Sequence, residues 1–286
     1  MNKLLSSLFI LSNLIYLPSA LATTLLTAHP ITAGIAELLS KESTITIKTA
    51  TPRNLPASRQ LNYLENRGKE SLVELSQQAD AVITIKSIYA PDFLYPLARR
   101  HHIQIVPIDI AIPIDGSNIG VAKLDISAVE HPVWLDPENL NSMLLLFARE
   151  VERLDYSQHD AIQKQLIIAQ KHLQSIVQNM QHTLAVASHL PTVLLMQEEL
   201  TYLTQGLQLE STLFTSDDIS KNVDEFEKTI QQQKISLVIS QSDPTPAEQV
   251  TLTRHNIAWM KIPRLKNENP LLYLEGIYKT LQAFIK

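Results

Sequence analysis

Residues 157–187, SQHDAIQKQLIIAQKHLQSIVQNMQHTLAVA, decide the fold because their apolar residues recur with helical spacing over one long run. The helical pattern begins earlier, at Pro137, and Asp155-Tyr156-Ser157 is its only break. We therefore predict two helices, with Ser157 capping the second. A helix of about 30 residues spans about 45 Å, which is longer than one small lobe needs. We expect this helix to join two lobes.

An alternation of strand-like and helix-like segments precedes this run, which predicts a parallel sheet covered by helices. The polar stretch from Pro52 to Gly68 is predicted to be a loop. The predicted strands are Leu25–His29, Thr44–Thr49, Ala81–Lys86 and Ile103–Asp109, and the predicted helices are Ile31–Ser40, Glu70–Gln78 and Pro91–His101.

The same alternation resumes after the long helix. The predicted strands are Thr192–Met196, Leu209–Phe214, Ser236–Ser240 and Ile257–Ile262, and the predicted helices are Glu198–Gln205, Val223–Gln233, Pro246–Arg254 and Leu271–Ile285. We predict an α/β protein of two lobes, 23–155 and 188–286, with mostly parallel four-stranded sheets joined by one long helix at 156–187. Ligands bind at the carboxyl ends of such strands, so two facing lobes would enclose a cleft.

Composition and the amino-terminal segment narrow the function. The net charge is −5 without a basic stretch, which argues against a nucleic-acid partner. Residues 1–22 are typical of a cleavable signal peptide, with Lys3, an apolar run and Ala20-Leu21-Ala22. There is no cysteine to carry a lipid, a disulfide or a thiolate ligand, so we expect a free periplasmic protein. No nucleophile or metalloprotease motif is present, and we predict no enzyme activity.

Four segments resemble the cluster A-I solute-binding proteins of zinc and manganese ABC importers. The most specific is Trp134-Leu135-Asp136-Pro137-Glu138-Asn139, and the others are Leu25–Pro30, Gln78–Ile83 and Tyr273-Leu274-Glu275. The resemblance covers nearly all of the mature chain. It implies lobes joined by a single long helix, a permease partner and a divalent metal, zinc or manganese, as cargo. We expect a monomer.

The metal-ligand positions of that family are largely lost here. The resemblance places a histidine in the loop after the second strand, where this chain has none. It places another at Pro132, a third at Gln197 and an aspartate near Pro263 and Arg264. Zinc favours about four nitrogen, sulfur or charged oxygen ligands, so we predict weak zinc binding. His131 lies one residue before Pro132 and is either a relocated metal ligand or a loop histidine.

Arginines occupy loops that the family uses for its site, which suggests a different cargo. A guanidinium group binds carboxylate or phosphate at two points. The candidate ligand-binding residues are Arg53, Tyr63, Arg67, Gln197, Glu198 and Arg264. The alternative for the arginines is a solvated loop, and for Glu198 it is a helix start, where the helix dipole stabilises carboxylates.

We therefore predict an extracytoplasmic solute-binding protein of an ABC importer that resembles the zinc and manganese type. Its cargo would be a metal in a rearranged site, a metal chelate or a small anion. The alternative is a degenerate binding protein that has lost its solute and acts through a protein partner.

Overall fold

The computed structural model describes residues 22–116, 120–214, 223–266 and 269–285. The predicted signal peptide lies outside these residues except for Ala22. In the amino-terminal lobe, four parallel strands lie in the order β2-β1-β3-β4. They are β1 (Thr24–Thr27), β2 (Thr46–Thr49), β3 (Ala81–Thr84) and β4 (Val106–Asp109), and the helices beside them are α1 (Pro30–Leu39), α2 (Ala57–Glu65), α3 (Lys69–Gln78) and α4 (Leu94–Arg99).

Two predictions for this lobe were wrong. Part of the predicted loop between Pro52 and Gly68 forms α2, which buries one narrow face through Gln60 and Leu64. Because α2 is mostly polar, its buried face cannot be recognised in the sequence. Helix α4 begins at Leu94 instead of Pro91, because the Asp92 carboxylate accepts the backbone N–H of Leu94 at 3.2 Å and so marks the start of the helix.

The carboxyl-terminal lobe repeats the same parallel topology, with strand order β6-β5-β7-β8. Its strands are β5 (Val193–Leu195), β6 (Ser211–Leu213), β7 (Leu237–Ser240) and β8 (Ala258–Lys261). Its helices are α7 (Thr201–Gly206), α8 (Val223–Gln232), α9 (Pro246–His255) and α10 (Pro270–Gln282). A 3-10 turn at Glu198–Leu200 leads into α7. The predicted α/β class with two four-stranded parallel sheets is confirmed.

The long helix α6 (His159–Val186) leads from the first lobe to the second, and it follows α5 (Pro137–Leu154) after a 3-10 turn at Tyr156–Gln158. Asp155, not the predicted Ser157, caps this break, since its carboxylate accepts the Ser157 N–H at 3.1 Å. The Ser157 side chain cannot accept a hydrogen bond from its own backbone N–H, whereas the carboxylate two residues earlier in the chain can. Helix α6 has 28 residues, as the predicted long helix requires.

Helix α6 packs into one apolar core that both lobes share. Its buried Leu166 and Met180 belong to the same cluster as Leu25 of β1 and Val193 of β5. Such a stiff, packed helix favours a fixed arrangement of the lobes. Among the described residues, none of the helices has the length and apolar character needed to cross a membrane.

Candidate functional site

A cavity of about 400 Å³ lies where the carboxyl ends of the two sheets meet. Its walls include His29 after β1, Arg53 after β2, Gln241 after β7 and Arg264 after β8. Glu130, Trp134, Glu199, Lys266 and Tyr273 also line it. Parallel α/β sheets place their ligands at this edge, so the cavity is the candidate functional site.

His29 is fixed in one tautomer at the wall of the cavity. Its Nδ1 accepts the backbone N–H of Ile31 at 3.3 Å, so the ring proton is on Nε2. That Nε2–H group donates to Oε1 of Glu130 at 3.1 Å. The ring is 4% exposed and packs at a tilt against Tyr89 and Trp134, with 5.6 Å between ring centroids in each pair. The imidazole is therefore a directed hydrogen-bond donor.

Glu130 is an ionised acceptor that remains partly open to the cavity. Its side chain is 41% exposed although one oxygen binds His29. Burial would raise the pKa of the Glu130 carboxyl, but the hydrogen bond from His29 and the charge of Arg264 hold it below its usual value. The same negative charge adds to burial in raising the pKa of the Tyr89 hydroxyl to about 12.

A segment without regular helix or strand, residues 120–131, carries Glu130 across the molecule, and we call it the strap. The Tyr202 hydroxyl accepts the Leu124 N–H at 2.9 Å, and the Glu198 carboxylate accepts the Ser127 N–H at 2.9 Å. At its end, Glu130 forms an antiparallel bridge with Tyr89 of the first lobe. The strap is thus tied to both lobes beside the cavity.

The predicted arginines divide into two groups. Arg53 lines the cavity and pairs with Glu37 at 2.9 Å, and Arg264 also lines it. Within the described ranges, Arg264 has no hydrogen bond or ion pair. Tyr63 and Arg67 are not among the described residues of the cavity wall. Tyr63 packs beside an apolar cluster of the first lobe, and Arg67 is exposed.

Three other candidates, Gln197, Glu198 and His131, make structural contacts instead of lining the cavity. The Gln197 carbonyl oxygen accepts the Gln241 N–H at 2.8 Å, and its amide donates to Ser240 Oγ at 3.3 Å, which ties the ends of β5 and β7 together. Glu198 binds the strap, and its neighbour Glu199 faces the cavity.

His131 is buried in a contact between the strap and the second lobe. Its side chain is 4% exposed, and its Nδ1 lies 2.9 Å from the Tyr202 hydroxyl. The Tyr202 oxygen also accepts the Leu124 N–H, so this one hydroxyl contacts the strap at two places. Burial lowers the pKa of the His131 imidazole. This geometry favours the loop-histidine interpretation.

The described residues contain no group of three or more His, Cys, Asp or Glu side chains placed to hold a metal ion. His29 and Glu130 lie together at the cavity, but Nε2 of His29 carries the proton of its hydrogen bond to Glu130 and so presents no lone pair to a metal. Sequence reasoning missed both residues. The signal was that His29 ends the predicted first strand, at the sheet edge where ligands bind.

Two similar parallel α/β lobes, a connecting long helix and an interlobe cavity define the class of two-lobed solute-binding proteins. The family model ZnuA, described as Zinc-uptake complex component A periplasmic, matches residues 47–276, and this chain belongs to that family. The family is one of periplasmic solute-binding proteins for metal uptake and not an enzyme class. No curated protein sequence matches the chain at a significant level.

Solved structures share the fold at low sequence identity. The crystal structure of ZnuA is 13% identical, with a TM-score of 0.68 over 93% of this chain and 100% of that chain. A manganese-bound mutant of a periplasmic metal binding protein from Candidatus Liberibacter asiaticus is 12% identical, with a TM-score of 0.68 over 92% and 100%. A mutant of FpvC from Pseudomonas aeruginosa is 12% identical, with a TM-score of 0.70 over 92% and 98%.

Proposed function

We propose that this chain is the extracytoplasmic solute-binding component of an ABC importer, and that its cargo is an organic anion or an anionic metal chelate. The observation that carries the proposal is that three cationic side chains, Arg53, Arg264 and Lys266, line the cavity and outnumber its two carboxylates, Glu130 and Glu199. Guanidinium and ammonium groups repel a bare divalent cation, whereas they bind carboxylates and phosphates through charge-assisted hydrogen bonds.

The size of the cavity supports an organic cargo. At about 400 Å³, it falls in the range of small-molecule sites, about 300–1,000 Å³. A bare zinc ion in a closed site is instead surrounded directly by about four protein ligands, without space for a larger molecule. A chelated metal would satisfy both the metal-uptake character of the family and the loss of protein ligands.

The remaining features fit a periplasmic carrier. We propose that residues 1–22 are a cleaved signal peptide, and that the mature protein is a free monomer which delivers its cargo to a permease. Its lobes would be residues 23–155 and 188–286, with the linking helix at 156–187. Amino-terminal sequencing of protein recovered from periplasm tests the cleavage, for which the expected first residue is Thr23.

Ligand screening tests the cargo. We expect thermal stabilisation and calorimetric binding with some organic acids, phosphates or anionic metal chelates, and only weak binding of free zinc or manganese. Arg264→Ala should weaken binding of the best anion about tenfold or more. Arg67→Ala is the matched control, because Arg67 is an exposed arginine that is not part of the described wall, and it should leave affinity unchanged.

Two outcomes would contradict this proposal. Stoichiometric nanomolar zinc binding that is abolished by His131→Ala or His29→Ala would establish a rearranged metal site. Failure of every anion and chelate to stabilise the protein would favour the alternative of a degenerate binding protein that acts through a protein partner.

A further inference from the structure

The cavity wall carries charges of both signs, which a simple polyanion would not require. Arg264 and Lys266 lie on it, and so do the carboxylates of Glu130 and Glu199. A solute with negative charge alone would gain from the first pair but would be repelled by the second. The wall is therefore complementary to a solute that has an anionic part and a hydrogen-bond-donating part.

The Glu130 carboxylate is held in place by a chain of fixed contacts. Its Oε1 accepts from His29 Nε2 at 3.1 Å, and the His29 ring is locked by the Ile31 N–H and by two aromatic neighbours. Within the described residues, His29 is the only side chain that donates a hydrogen bond to Glu130. A carboxylate has about four acceptor positions, so Glu130 retains free capacity toward the cavity.

Arg264 and Lys266, two of the positive groups, follow β8 in the same cavity wall. Arg264 follows β8 of the second lobe, and it is close enough to Glu130 for its charge to act on that carboxyl, yet the two form no ion pair within 4.0 Å. Both side chains line the same cavity, so a ligand bound there can contact the fixed acceptor and the cation together. A carboxylate placed at Arg264 would leave the far end of the same molecule facing Glu130.

We propose that the cavity binds an aminocarboxylate, whose carboxylate pairs with Arg264 and whose N–H group donates to Glu130. His29 is a positioning residue that aims the Glu130 carboxylate. A free ammonium group and a metal-bound amine both present N–H donors, so the free compound and its metal chelate share this chemistry. The inference rests on the proposed function and specifies its substrate class.

A matched pair of dicarboxylates tests the inference. Iminodiacetate and diglycolate have the same two carboxylates and nearly the same shape, but at neutral pH the first has an ammonium group with two N–H donors where the second has a neutral ether oxygen. The ether oxygen can only accept hydrogen bonds and would face the Glu130 carboxylate. We expect the wild-type protein to bind iminodiacetate about tenfold or more tightly than diglycolate in calorimetry.

Variants separate the two ends of the site. Glu130→Gln should make the affinities for iminodiacetate and diglycolate about equal. The glutamine amide accepts a hydrogen bond less strongly than the carboxylate, and it also donates one to the ether oxygen of diglycolate. Arg264→Ala should weaken both compounds by a similar factor. Glu65→Gln removes an exposed carboxylate outside the cavity and should leave the preference unchanged. Glu130 is partly exposed, and circular dichroism confirms that each variant folds.

The outcomes are decisive for the substrate class. Equal or tighter binding of diglycolate, a preference unaffected by Glu130→Gln, or no binding of either compound overturns the inference. Binding of phosphate or citrate in the broader screen would still uphold the proposed function in those cases. Repeating the titrations with both compounds loaded with zinc identifies the source: tighter binding of zinc-loaded iminodiacetate indicates a chelate, and tighter binding of metal-free iminodiacetate indicates the free aminocarboxylate.

Discussion

The two lobes have the same strand order, but different chemistry follows their strands. In the first lobe, the Asp109 carboxylate at the end of β4 accepts from Ser87 N at 2.9 Å, Ser87 Oγ at 2.8 Å, Ala111 N at 2.9 Å and Ile112 N at 3.2 Å. In the second lobe, the neutral side chains of Gln197 and Ser240 connect the ends of β5 and β7.

This difference separates structural charges from charges available to a solute. Asp109 is 7% exposed. Its carboxylate accepts hydrogen bonds from neighbouring groups, so little of its acceptor capacity is available to a ligand. At the corresponding end of β8, Arg264 is exposed and extends into the cavity wall. The same edge of the sheet therefore carries a charge that stabilises the first lobe and, in the second lobe, a charge that we propose binds cargo.

The largest expected effect is a loss of stability in the first lobe. Asp109→Ala leaves its buried donors without an acceptor and should lower the free energy of unfolding by about 3 kcal/mol. Gln197→Ala should lower it by only about 1 kcal/mol, because Gln197 is partly exposed and water can replace its contacts. Urea unfolding followed by circular dichroism measures both.

Asp125→Ala is the control for this comparison, since it removes an exposed aspartate and should change stability by about 0.5 kcal/mol or less. Similar losses for Asp109→Ala and Gln197→Ala would show that the two strand ends are energetically equivalent and would invalidate the distinction.

A smaller effect is expected where the strap joins the second lobe. Tyr202 is 1% exposed, and Tyr202→Phe removes the hydroxyl that serves both Leu124 N–H and His131 Nδ1. We expect a loss of about 1–2 kcal/mol in urea unfolding. Tyr156→Phe changes a tyrosine that is 76% exposed and is the control. An unchanged midpoint for Tyr202→Phe would mean that the strap contributes little to the joined structure.

The sequence was sufficient for the fold because most strands are short apolar runs that alternate with segments of helical spacing. Buried strands such as Ala81–Thr84 and the long α6 have unmistakable patterns. Helix α2 was missed because only Gln60 and Leu64 of its residues are buried. Such a narrow apolar face has no clear period in a polar stretch.

The site was less predictable because it depends on contacts between distant residues. His29 and Glu130 are 101 positions apart, and the resemblance of Leu25–Pro30 to the family did not mark His29 as a site residue. Gln197, Glu198 and Glu199 are adjacent, and the sequence does not show which of the three faces the cleft. In the structure, the 3-10 turn that begins at Glu198 directs Glu199 toward the cleft. The family resemblance pointed to the loops that contain Arg53 and Arg264, and both residues line the cavity, because loops after parallel strands gather at one edge.

The smallest expected effect is a difference in how stability depends on pH. Burial raises the pKa of the Asp109 carboxyl above its usual value, although its backbone and Ser87 hydrogen bonds oppose this. The folded protein therefore binds more protons than the unfolded chain as pH rises above about 3.9, the ordinary pKa of aspartate. The stability contributed by this group is complete below that pH and is lost as pH rises through the folded-state pKa.

Asp109→Asn cannot titrate and should lack this loss, whereas Gln197→Ala should follow the wild-type pH profile. The free energy of unfolding of wild type, relative to that of Asp109→Asn, should thus decrease as pH rises from about 4 to the folded-state pKa of Asp109. A pH-independent difference, caused by replacing the carboxyl group with an amide, adds to this change. Urea unfolding at a series of pH values measures it. A difference that moves in favour of wild type as pH rises would mean that the hydrogen bonds to Asp109 outweigh its burial, and that this carboxylate is stabilised in its charged form.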